Sequence, residues 1–106
     1  MRDKIEFKNI EKLYSITDSI SASGMPDGEY KIGTNMIYKK HGVPKLDKNT
    51  LGGSIITMDE TFKNLIDIGF SVQESIKMTS TNAADYLGEK DIGRVTKGSK
   101  ANLVLL

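Results

Sequence analysis

Apolar and polar positions change period several times along this chain, and each change marks an element. From Lys12 to Thr17 the residues Leu13, Tyr14 and Ile16 have the branched or aromatic bulk of a buried strand. The run stops on Asp18, and the Ser-, Gly- and Pro-containing stretch from Ser19 to Gly28 cannot sit in a packed sheet. Asp18 is therefore expected at the carboxyl end of a strand, the end where barrels and open α/β sheets display reacting groups. Spacing alone fits equally well an aspartate that merely caps a turn. Before this strand, Ile5, Phe7 and Ile10 fit neither period cleanly, and residues 1 to 11 are read as the tail of a helix.

Ser19 to Gly28 is read as a loop, with Met25-Pro26-Asp27-Gly28 supplying strong turn chemistry. A long loop placed directly after an acid points to function. Tyr30 with Ile32 and Met36 with Tyr38 alternate, broken by Gly33-Thr34-Asn35 and by Lys40-His41-Gly42, and Val43 precedes Pro44. This predicts a small meander whose last piece is irregular or at an edge. His41, the one histidine of the chain, falls at a hairpin turn with no second ligand at metal spacing, so it is read as an exposed turn residue.

Gly52-Gly53 fits a flexible linker or a close backbone approach. Thr57-Met58-Asp59-Glu60 is a capping box opening an amphipathic helix, with Met58, Phe62, Leu65, Ile66 and Phe70 on one side and Gly69 at its end. Ser71-Val72-Gln73-Glu74 is a second box, and Val72, Ile76 and Met78 are the expected buried side of the helix after it. A third helix is expected to begin near Thr81-Asn82 and to end at Gly88. Leu103 to Leu106 reads as a buried strand, and a chain finishing on four apolar residues looks cut.

Composition narrows the function classes. Leu, Ile, Val and Phe make up about a quarter of the 106 residues, enough for a modest core. Fifteen basic residues balance 14 acidic ones along the chain, which points away from nucleic acid and from an acidic membrane surface as partners. There is no cysteine, hence no disulfide framework and no thiolate metal site. No apolar run approaches the roughly 20 residues of a membrane span. The expected setting is the cytoplasm.

The succession TDSISASGMPDGEYKIG, NTLGGSIITMDETFKNLIDIG and MTSTNAADYLGEKDIGRVTKGSKANLVLL, from about Glu11 to Leu106, resembles the carboxyl-terminal part of the N-acetylglucosamine-6-phosphate deacetylase family of amidohydrolases. The resemblance implies an α/β fragment that, taken by itself, reads as α+β. Residues 1–88 would be the end of a (β/α)8 barrel, with the Lys12-to-Thr17 strand as its eighth, and residues 89–106 the start of an adjoining β-sandwich. It also implies that Asp18 is the catalytic aspartate and that the backbone at Leu51, Gly52 and Gly53 contacts an amino-sugar phosphate. The divalent metal of such enzymes, zinc or iron, would be held by a glutamate and histidines on earlier strands, so this fragment is expected to bind none and to be inert alone. The full-length enzyme would be a homo-oligomer.

Ala83 and Asn102 depart from the family's frequent proline and aspartate, and neither touches a catalytic position. Ser19 and Ser21 receive no role. Two other readings stay open: a dihydroorotase-like or aminoacylase-like hydrolase, whose tail pattern is similar, and a non-catalytic α+β interaction module.

Overall fold

The computed structural model describes residues 9–106, so most of the helix tail expected over residues 1 to 11 lies outside the described residues. The described residues divide into two compact units, one of residues 16–61 and one of residues 62–106 together with residues 9–15.

In the unit of residues 16–61, the expected meander is a three-stranded antiparallel sheet in the order β1-β2-β3. Its strands are β1 (Gly28–Ile32), β2 (Asn35–Lys40) and β3 (Val43–Lys45). The register runs from Gly28 opposite Lys39 to Ile32 opposite Asn35, and then from Tyr38 opposite Lys45 to Lys40 opposite Val43. The β2–β3 turn has His41 at φ 51° and Gly42 at φ 71°, the pair of positive angles that matches the twist of a hairpin. A histidine tolerates that angle less readily than glycine, and the Asp27 carboxylate holds the turn by accepting the N–H groups of His41 (2.6 Å) and Gly42 (3.1 Å). Ile37, in the middle strand, and Ala22, in the preceding loop, are fully buried. The loop of residues 19–28 is tied down along its length. The Lys39 ammonium donates to the carbonyls of Ala22 and Met25, Tyr30 Oη donates to Pro26 O at 2.6 Å, and Ser21 Oγ donates to Lys31 O.

Helix α1 (Met58–Asp67) starts where the first capping box was read, but the box is only half formed. Glu60 reaches back to the Thr57 N–H at 2.9 Å, while the Thr57 hydroxyl donates to the same carboxylate. The helical stripe delivers Leu65, which clusters with Phe70 and Met78, and Ile10 and Leu13 pack against that cluster. Helix α2 (Val72–Ile76) begins with a complete Ser71–Glu74 box. Its expected buried side is corrected, because Val72 and Ile76 are exposed and Ser75 is the buried position. The third helix is not a fresh start either. A π-helical stretch over Lys77–Thr81 joins α2 to α3 (Asn82–Tyr86) without a break, and Thr81 is itself helical with its hydroxyl donating to Gly93 O rather than capping. The wider turn shifts the helix face, so that Met78, Asn82 and Ala84 are buried.

Two expected strands are absent. Lys12 to Thr17 forms no ladder; Ile10–Lys12 is a single 3-10 turn, Leu13 after it is extended, and residues 14–17 are irregular. A strand needs neighbouring backbone, and here the backbone partners are helical instead. Asn82 Nδ2 donates to Ile10 O (2.7 Å) and Leu13 O (2.6 Å), and Ser15 N–H donates to Met78 O (2.7 Å). Leu103 to Leu106 is neither buried nor a strand, with Leu105 99% exposed. No helix among the described residues is long and apolar enough to cross a membrane.

Candidate functional site

Asp18 stands in the left-handed region at φ 50°. Aspartate visits this region more readily than most residues, and backbone on both sides holds it there. Its carbonyl accepts from Ser54 N–H at 3.3 Å, the Ile20 N–H donates to Ser54 O at 3.0 Å, and Ser19 pairs with Ser54 in a parallel bridge. Its carboxylate is exposed and has no hydrogen-bond or ion-pair partner among the described residues. A capping aspartate would spend its oxygens on nearby N–H groups, as Asp27 does. Asp18 is not a turn cap.

Serines that the sequence reading left without a role fasten this arrangement. Ser19 Oγ donates to Ile56 O at 2.6 Å, Ser23 Oγ donates to Ile55 O at 3.2 Å, and Ser54 Oγ accepts from the Ile56 N–H at 3.1 Å. Residues 18–23 are thus laced to residues 54–56. No sequence signal announces bonds between serines and carbonyls more than 30 residues away.

The same lacing sets Gly53, the residue before Ser54, against Ile20, two residues after Asp18, while Leu51 and Gly52 pack on the sheet. Lys45 and Leu51 form an antiparallel bridge, and Gly52 N–H donates to Pro44 O at 2.9 Å. Gly52 is packed rather than loose, since a Cβ there would lie 2.6 Å from Ile37 Cδ1. Gly53 has φ 114°, and its N–H makes no hydrogen bond among the described residues. The linker reading of the two glycines is excluded by this packing. Asp47 shapes the approach to Leu51. Its carboxylate accepts from Asn49 N–H (2.8 Å), Thr50 N–H (2.9 Å) and Thr50 Oγ1, which holds its pKa below the ordinary aspartate value, with the Asn49 bond the largest cause. An Asp two and three residues ahead of Asn-Thr is a legible Asx-turn signal that the sequence reading did not use.

The site therefore offers one unpaired carboxylate, on a residue whose backbone is bonded to Ser54, and a Gly53 N–H left unused before that serine. Such an arrangement can move a proton and accept a hydrogen bond from a ligand. It does not fit a metal centre by itself. Among the described residues no three His, Cys, Asp or Glu side chains gather to hold an ion, and His41 sits exposed at its turn.

The chain is similar to known proteins. An N-acetylglucosamine-6-phosphate deacetylase of Lysinibacillus sphaericus is 35% identical over 100 residues, covering 93% of this chain and 26% of that protein. An N-acetylgalactosamine-6-phosphate deacetylase of Escherichia coli O157:H7 is 32% identical over 98 residues, covering 91% and 26%. The crystal structure of an N-acetylglucosamine-6-phosphate deacetylase from Thermotoga maritima superimposes with a TM-score of 0.81 at 36% identity, over 92% of this chain and 27% of that one. The chain thus spans about a quarter of the length of these three proteins. The family profile of the amidohydrolases matches residues 16–106, which takes in Asp18, the glycine pair and the helices together, and the chain belongs to the amidohydrolase family.

Proposed function

We propose that this chain is the carboxyl-terminal part of a metal-dependent sugar-phosphate deacetylase, one that hydrolyses N-acetylglucosamine 6-phosphate to glucosamine 6-phosphate and acetate. The unpaired carboxylate of Asp18, on a residue bonded through its backbone to Ser54 in a chain similar to such deacetylases, carries the reading. In the whole enzyme, residues 1–88 close a (β/α)8 barrel and residues 89–106 begin a β-sandwich, and the exposed apolar tail pairs with backbone these residues do not include. The whole enzyme is a cytoplasmic homo-oligomer.

The chemistry assigned to this chain is proton transfer. As water adds to the acetyl carbon, its proton passes to the Asp18 carboxylate. Asp18 then returns that proton to the amide nitrogen, the C–N bond breaks, and the amine and acetic acid leave. Gly53 N–H and the backbone around it face the sugar phosphate, and a ligand there meets no side chain from residues 52–53. A divalent metal, zinc or iron, supplies water activation when bound, and its ligands lie on polypeptide beyond the residues described here.

The test grafts residues 16–106 onto the Lysinibacillus sphaericus deacetylase in place of its matching segment and measures acetate released from both 6-phosphate epimers. The graft should be active, and Asp18→Asn should lower kcat by about 100- to 10,000-fold, the usual range for losing a general acid–base group. The 106-residue chain alone, supplied with zinc or iron(II), should release none. Asp18→Asn activity within a few fold of the parent graft would refute the assignment.

A further inference from the structure

Gly53 approaches one neighbour more closely than any side chain could allow. A Cβ at this position would stand 2.5 Å from Ile20 Cγ2, with Ile20 Cβ and Cδ1 at 3.8 and 3.9 Å, and the φ of 114° is one that L side chains rarely adopt. Ile20 lies two residues after Asp18, and its N–H is bonded to Ser54, the residue after Gly53. The Ser54 N–H in turn holds the Asp18 carbonyl. Asp18 itself occupies a strained left-handed conformation that persists only where its surroundings over-determine it.

We propose that Gly53 is a positioning residue for Asp18: the missing side chain seats Ile20, and this seat brings the Asp18–Ile20 backbone onto Ser54 and so aims the carboxylate. This assigns Gly53 a role apart from any contact with the sugar phosphate, and it rests on Asp18 being the proton carrier. A methyl group at Gly53 would press on Ile20 before it reached any ligand. Displacing the reacting group by even 1 Å costs up to about 100-fold in rate, so the effect should fall on turnover rather than on binding.

Two measurements test it. In the 106-residue chain, hydrogen exchange at the amide of residue 20 should quicken at least about tenfold in Gly53→Ala. Adding Ile20→Ala, which removes the clashing methyl, should reverse the part of the change that the clash causes, leaving only the cost of a side chain at φ 114°. In the active graft, Gly53→Ala should lower kcat about tenfold with KM within about twofold, and Ile20→Ala in the same molecule should restore the share of that loss that the clash causes. Unchanged exchange at residue 20 overturns the inference, whatever the graft does. So does a raised KM with kcat preserved and no rescue by Ile20→Ala, the pattern of a residue that only touches substrate. Asp18→Asn separates the two readings: an active Asp18→Asn graft removes the proton-transfer role of Asp18, whereas an inactive one with normal Gly53→Ala kinetics removes only the role of Gly53.

Discussion

Asn82→Ala is expected to be among the most damaging single substitutions in this chain, although no sequence rule marks a polar residue inside a helix as critical. Asn82 is only 6% exposed, and its amide nitrogen donates to two carbonyls, Ile10 O and Leu13 O. The two losses are unequal. Ile10 O keeps a second donor, the Leu13 N–H at 3.0 Å, whereas Leu13 O has no other partner among the described residues. Losing a net hydrogen bond of about 1 kcal/mol and orphaning one part-buried carbonyl at about 1–2 kcal/mol gives a cost of about 2–3 kcal/mol. That is a large share of the roughly 5–15 kcal/mol typical of a domain. Urea unfolding followed by circular dichroism at 222 nm would read it. Asn82→Asp sharpens the test, because an ionised carboxylate would face two carbonyl oxygens with no proton to offer. Its pKa would be raised in the folded state, so the variant should be most stable below the unfolded aspartate pKa and weaken as pH rises through the folded value. An Asn82→Ala shift under about 0.5 kcal/mol, or an Asn82→Asp variant that gains stability with pH, would refute the reasoning.

Met78→Ala removes a side chain 3% exposed from the Leu65–Phe70 cluster, and its unfolding free energy should fall by about 2–5 kcal/mol in the same assay. Ser71→Ala breaks the complete Ser71–Glu74 capping box and should cost about 1 kcal/mol, with Ser71→Gly milder. The bonds from Gly42 and His41 hold the Asp27 carboxyl below its ordinary 3.8, so the turn gains stability above that pH and loses it as pH falls through the lower folded value. The amide shifts of His41 and Gly42 should titrate with a midpoint below 3.8, and Asp27→Ala should abolish the transition. A midpoint at or above 3.8 would show that the carboxylate does not hold the turn.

What could be read from the sequence was local, and what could not was the identity of partners. The meander was legible because its turn residues and period-2 alternation act within a few positions. The Ser71–Glu74 box was legible for the same reason, since cap and partner are three residues apart. Lys12 to Thr17 had the composition of a strand, but composition cannot say whether a neighbouring strand is present to accept the ladder. Here Asn82 and Met78 occupy those backbone groups from nearly 70 residues away. Leu103 to Leu106 failed in the same way. The join of α2 to α3 was misread because a π turn satisfies backbone donors that an ordinary helix end would leave for a cap, and Thr81 then looks like a cap it does not form. At the site, Asp18 and the glycine pair were found by resemblance, while the serines and Ile20 that hold them were invisible. A hydroxyl donating to a carbonyl 37 residues on, as Ser19 does to Ile56, leaves no periodic trace. A candidate residue can thus be picked from a motif, yet the residues that hold its backbone are set by tertiary packing. Substitutions at Gly53 and Ile20 together, rather than at Asp18 alone, are what separate a carboxylate that is merely present from one that is placed.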